Sequence, residues 1–82
     1  MSDIKISKTL DAKKLSCPLP ILKTKKAIME IGIGEYLEVL ATDPGSEADL
    51  QAWTRSTGNE LVEHSVDDDV YRYIIKRNKW GI

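Results

Sequence analysis

The sequence predicts an α/β (α+β) two-layer sandwich in the order β-α-β-α-β-β, with two helices on one face of a four-stranded mixed sheet. Three observations predict it. Short segments rich in Val, Ile, Leu and Tyr alternate with segments whose apolar residues recur every three or four positions. Gly and Pro fall between them, at Gly32 and Gly34, at Asp43-Pro44-Gly45 and at Gly58. The last two strand-like segments are separated only by Asp67-Asp68-Asp69, short enough for a hairpin. Two helices laid on one face of such a sheet close a two-layer core. With 82 residues, the chain is read as a single domain, 1–82.

Each element has a local reason. Ile4, Ile6 and Leu10 read as one face of a first strand. A polar connection, Asp11-Ala12-Lys13-Lys14-Leu15-Ser16, then leads to Cys17. Pro18 suits the first helical position, where a missing N–H costs nothing. Leu19, Leu22, Lys26 and Met29, with Ile21 and Ile28 beside them, follow helical spacing, and Lys23, Lys25 and Lys26 should face water. Gly32 and Gly34 are expected to end this helix.

Tyr36 to Thr42 is the clearest strand, apolar enough for a central place in the sheet. After the Asp43-Pro44-Gly45 turn, Ser46 and Asp49 resemble a capping arrangement opening a second helix through about Ser56. Ala48, Ala52 and Trp53 are its expected buried side, and Asp43 is expected to support the turn and helix entry. Leu61 to Val66 and Val70 to Ile75 complete the sheet. Trp80 follows as either a loose tail or a packing cap.

Charge narrows the function classes. The net charge is −1, which disfavours a nucleic-acid binder held by bulk electrostatics. Phe is absent and no basic stripe interleaves with aromatics, so direct nucleic-acid binding is not expected. Residues 1 to 34 carry a balance of +4, residues 35 to 69 one of −9, and residues 70 to 82 one of +4. That asymmetry suits either a field that steers protein partners or ordinary solvated faces. The N-terminus has no signal-peptide pattern and no apolar run is long enough to span a membrane. A lone cysteine allows no internal disulfide and favours a reducing compartment, so a cytoplasmic protein is expected, and nothing demands more than a monomer.

Cys17-Pro18-Leu19-Pro20 carries the chemistry. A lone cysteine is most often a small buried hydrophobe. Here it stands at the expected N-cap of the first helix, where the side chain projects from the end of the element. The helix N-terminus and Lys13, Lys14 and Lys23 favour the thiolate, while Pro18 and Pro20 remove two N–H donors, so a modest lowering of the thiol pKa is expected. The two prolines form a stiff support that fixes where the sulfur points.

Other uses of one cysteine fit less well. A disulfide oxidoreductase needs a resolving cysteine, and none exists. A cysteine hydrolase needs a positioned His, and His64 lies on a strand far along the chain. One Cys and one His do not make a zinc site, so no metal or cofactor is expected. The acidic Asp67-Asp68-Asp69 is read as a solvated hairpin tip. A thiol that takes sulfur as a persulfide and passes it on needs only exposure, nucleophilicity and docking.

Leu10-Asp11-Ala12, Leu15, Cys17-Pro18-Leu19-Pro20, Thr42-Asp43-Pro44-Gly45-Ser46 and the closing segment Val70 to Ile75 resemble the TusA (SirA-like) sulfur-carrier family. The resemblance runs from about Thr9 to Arg77. It implies a two-layer sandwich like the C-terminal domain of a bacterial translation initiation factor, and a persulfide carried on Cys17. It implies relay partners: a cysteine desulfurase or rhodanese-type donor, and an acceptor such as a DsrE-type complex. The destinations it implies are tRNA thiolation, molybdenum-cofactor assembly or dissimilatory sulfur oxidation. A relay of this kind has no turnover of its own. Lys13, Lys14, Lys23 and Lys26 would steer an acidic face of the partner. The alternative is a regulatory adaptor of the same fold in which Cys17 transfers nothing.

One position departs from the family pattern, which has glycine before the leucine that precedes the cysteine, where this chain has Lys14. If that glycine takes a positive φ, Lys14 is strained or the loop differs.

Overall fold

The computed structural model describes residues 5–15 and 19–78. Its elements are β1 (Ile6–Ala12), α1 (Leu19–Ile28), β2 (Tyr36–Ala41), α2 (Ser46–Thr57), β3 (Glu60–Asp67) and β4 (Val70–Lys76). The sheet order is β1-β2-β4-β3, with β1 and β2 parallel and the other pairs antiparallel. The fold is thus the mixed sheet with two helices that the sequence predicts. Ile4 and Trp80 lie outside the described residues.

β2 is central because both its neighbours supply ladders and one of its faces is apolar throughout. Leu37, Val39 and Ala41 are fully buried and alternate with half-buried Tyr36, Glu38 and Leu40. Tyr73 and Ile75 of β4 join them, and Ala27, Ile28 and Ile31 from α1 and its exit and Leu50 from α2 cover that face. The two helices are each reached from the parallel strand before them, which places both on this side of the sheet.

Several packing expectations are corrected. On α1 the buried residues are Pro20, Thr24, Ala27 and Ile28, while Leu19, Leu22 and Met29 are exposed. Both sets obey helical spacing. The small or compact set allows the helix to approach the sheet, and the Thr24 hydroxyl is satisfied within the helix by donating to the Pro20 carbonyl at 2.7 Å. Lys23, Lys25 and Lys26 face water as expected. The helix ends at Ile28, before the glycines, in a tightening turn with Met29 N–H on Lys26 O and Glu30 N–H on Ala27 O. Arg77 then donates to the Ile31 carbonyl just beyond that end.

On α2, Ala48 and Ala52 are exposed, and the buried face is Ser46, Leu50 and Thr54, with Trp53 partly buried against the core. Ser46 is not the N-cap. Gly45 holds that position, and the Ser46 hydroxyl instead meets Tyr73 Oη at 2.9 Å in the core. Asp43 does support the turn: its carboxylate accepts the Gly45 N–H at 3.1 Å and its carbonyl accepts the Ser46 N–H at 2.9 Å. Gly58 closes the helix in the left-handed conformation (φ 82°).

On the sheet face away from the helices, one polar row crosses all four strands. Thr9 Oγ1 donates to Glu38 at 3.0 Å, Arg72 Nε donates to the same carboxylate, and Arg72 Nη1 reaches Glu63 at 3.4 Å. Thr9 and Glu38 are direct cross-strand partners, whereas Arg72 lies two residues from Ile74, the β4 partner of both Glu38 and Glu63, and reaches the two carboxylates diagonally.

Candidate functional site

Because β1 and β2 run parallel, the connections that follow them leave from the same end of the sheet. One carries residues 13 to 18, including Cys17, and the other carries residues 42 to 45. Ser16, Cys17 and Pro18 lie outside the described residues, so the site is built from what flanks them.

The connection after β1 begins with a tight turn. Leu15 N–H returns to the Ala12 carbonyl at 3.3 Å, and Lys13 N–H donates to Asp11 Oδ1 at 3.0 Å. Lys14, third residue of that turn, has φ 70°, while Lys13 is not among the positive-φ residues. This is a type II arrangement, in which the third position favours glycine. The departure from the family pattern is therefore accommodated by strain at Lys14. The Lys14 N–H donates to Thr42 Oγ1 at 2.9 Å, which joins the two connections.

On the other side of Cys17, α1 begins at Leu19 and turns Pro20 fully inward. The second proline of the motif thus has a packing role, fixing the first helical turn against the sheet. Lys13 and Lys14 are exposed in the turn, and Lys23 and Lys26 are exposed together on one face of α1. The four lysines fall into these two pairs on separate elements. Among the described residues, none of them is held in an ion pair.

Two features sequence reasoning did not find are the Thr42 tie and the outward position of Leu19, Leu22 and Met29. For the first, the only signal was a hydroxyl residue opening the turn after the central strand. For the second, it was the absence of any carboxylate from α1.

Elsewhere, an open groove of about 530 Å³ is lined by Gln51, Arg55, Asn59, Glu60, Leu61 and His64, among others. It lies toward the start of β3 and the end of β4, the opposite end of the sheet from Thr42. His64 is on edge strand β3, where it meets Glu47 at 3.5 Å and stacks on Tyr73 at 6.2 Å. Among the described residues, no group of three or more His, Cys, Asp or Glu side chains could hold a metal ion. None of the described helices is long and apolar enough to cross a membrane.

Comparison with known proteins adds to this geometry. A family model described as "Sulfurtransferase TusA" matches residues 8–77. A Halobacterium salinarum protein provisionally named a sulfur carrier is 48% identical over 79 residues, covering 95% of this chain and 98% of that one. YrkI of Bacillus subtilis, also provisionally named a sulfur carrier, is 46% identical over 74 residues, 90% of this chain and 99% of its own. "Sulfur carrier protein TusA" of Allochromatium vinosum is 45% identical over 69 residues, 84% and 91% of the two chains. The crystal structure of a SirA-like protein from Desulfitobacterium hafniense superposes with a TM-score of 0.76 at 28% identity, covering 88% of this chain and 99% of that one.

Proposed function

Since this chain belongs to the TusA family of sulfur carriers, we propose that it carries sulfane sulfur as a persulfide on Cys17 and relays it between two partner proteins. The observation that carries this reading is the likeness to proteins named as sulfur carriers over nearly the whole chain, in a sequence whose one cysteine lies in Cys17-Pro18-Leu19-Pro20.

Loading is a thiol exchange. The Cys17 thiolate attacks the outer sulfur of a donor persulfide, forming a new S–S bond as the donor's S–S bond breaks and its thiolate leaves. Delivery reverses the roles: an acceptor thiolate attacks the outer sulfur on Cys17, and the Cys17 thiolate departs. Electrons balance in each step without an added oxidant, and the protein returns to its starting state.

What the chain contributes is support and charge. The Lys14–Thr42 bond anchors the connection before Cys17, and buried Pro20 anchors the helix after it. Lys13, Lys14, Lys23 and Lys26 offer positive charge to the partner and to an anionic sulfur species. We place the protein in the cytoplasm, as one domain over 1–82, working with a desulfurase or rhodanese-type donor and a DsrE-type or other thiol acceptor.

The test is transfer. A cysteine desulfurase supplied with radiolabelled cysteine should label the wild-type protein through a bond that reductant cleaves. Cys17→Ser should fold and remain unlabelled. Equal labelling of the two would contradict the proposal.

A further inference from the structure

β3 forms one edge of the sheet, with β4 on one side and no strand on the other among the described residues. Its ladder fixes which backbone groups are free. Asp67 and Val70 flank the two-residue hairpin, so Asp67, Ser65 and Glu63 exchange their bonds with β4. The N–H and C=O groups of His64 and Val66 therefore point to the open edge. The β-bulge between Leu61 and Glu63 interrupts the ladder and leaves 63–67 as its regular stretch.

Side chains along this stretch alternate in character. Val66 pairs with Tyr71, and Tyr71 with Ala41 of the core, so Val66 lies on the helix side of the sheet, yet it is 54% exposed. His64 shares that side, beside the groove lined by Gln51, Arg55 and Leu61. Glu63, Ser65 and Asp67 occupy the opposite side. There Glu63 meets Arg72 at 3.4 Å, and Asp67 joins no ion pair among the described residues. Edge strands are ordinarily blunted by charge, proline or a covering element. Here the blunting charges are carboxylates, which turn away acidic and like-charged strands but not a basic one.

We propose that the 63–67 edge of β3 adds an extended segment of a separate protein in which basic and apolar residues alternate. Backbone pairing with His64 and Val66 holds the segment. Its apolar residues lie against Val66 and the groove, and its Lys or Arg residues face Glu63 and Asp67. Charge selects this occupant. A second copy paired two-fold through β3 would bring the Glu63 and Asp67 carboxylates of both copies together. β1 of a second copy would offer Thr9 and Asp11 on that side, and no cation. Nucleic acid and anionic lipid would meet like charge. β2 and β4 separate this edge from β1, whose following connection leads to Cys17, and the inference does not depend on the chemistry of Cys17.

The probe is a short end-blocked peptide in which Lys and Val alternate. A peptide of the same composition, with its Lys and Val in separate blocks, is the control. Binding is measured at low ionic strength by fluorescence anisotropy, and amide hydrogen exchange by NMR. In the free protein the His64 and Val66 amides should exchange faster than those of Ser65 and Asp67. With the alternating peptide at about ten times its Kd, protection at His64 and Val66 should rise about tenfold, with none gained in α1. The control peptide should bind about tenfold more weakly.

Val66→Pro deletes a free-edge N–H without removing a bond to β4, and should weaken the alternating peptide about tenfold. Glu63→Lys combined with Asp67→Lys should do the same, and carries the test if the proline disturbs folding by circular dichroism. Protection confined to other elements, equal affinity for the two peptides, or unchanged affinity in a folded variant would overturn the proposal. So would a wild-type dimer in light scattering that Val66→Pro disperses, which would assign the edge to a second copy.

Discussion

The Lys14 N–H and the Thr42 hydroxyl, 2.9 Å apart, tie the connection after β1 to the connection after β2. The bond holds a lysine in a left-handed conformation three residues before Cys17 (φ 70°). Glycine would adopt that conformation without a Cβ penalty. Lys14→Gly is therefore expected to stabilise the fold by about 1 kcal/mol, less the extra freedom glycine gains when unfolded. Urea denaturation measures it. A loss of stability would mean that the Lys14 side chain contributes more than its strain costs.

Thr42→Val tests the other half of the bond. It preserves shape and removes the acceptor, so it should cost about 0.5–1.5 kcal/mol, with Thr42→Ser close to wild type. Because the two residues are in contact, Lys14→Gly and Thr42→Val should not combine additively.

The hairpin tip offers a second site of relievable strain. Asp68 and Asp69 both have positive φ (51° and 66°), the two-residue type I′ arrangement that favours Asn-Gly. Three adjacent carboxylates also repel one another. Asp68→Asn with Asp69→Gly should raise stability by about 1 kcal/mol, or about 4–8 °C in Tm for a domain of this size. The gain should shrink in high salt, where the charge contribution is screened.

Glu38 links stability to acid pH. Its carboxyl is held below the ordinary glutamate value mainly by the hydrogen bond from Arg72, against the opposing effect of burial, with Thr9 adding to the lowering. A folded-state pKa below the unfolded one means stability that is present above the unfolded value and lost as pH falls through the folded value. Glu38→Gln should lower stability at neutral pH and flatten its dependence on pH from about 4.5 downward. Denaturation series at several pH values read both effects.

Tyr73 acts at the opposite end of the scale. Burial raises its phenol above the ordinary value, partly offset by the bond to Ser46. A raised folded pKa gives stability that is complete below the unfolded value, about 10, and lost as pH rises through the folded one. Tyr73→Phe leaves the Ser46 hydroxyl buried without that partner and should cost about 1–2 kcal/mol at neutral pH. It should also weaken the alkaline fall in stability.

Much of this fold is legible in the sequence because its signals are local. The apolar density of Tyr36 to Ala41, the Asp-Pro-Gly turn and the acidic hairpin tip each fix an element without reference to the rest. The phase of α1 is not legible in this way. Leu19, Leu22 and Met29 keep the same helical period as Pro20, Thr24, Ala27 and Ile28, and only the close approach of the sheet decides which set turns inward. Ser46 looks like a cap because its true partner, Tyr73, is 27 residues away. At the site, the Cys-Pro-x-Pro motif and the Lys14 departure are visible in the chain. The Thr42 tie is not, since it depends on the parallel pairing of β1 with β2.

The central claim, that Cys17 carries sulfane sulfur, is tested most directly by intact mass. Reduced protein is incubated with a persulfide donor, beside Cys17→Ser. The account predicts a gain of one sulfur atom that is absent from the variant and reversed by reductant. A folded protein with an accessible thiol that gains no sulfur from several donors would contradict it.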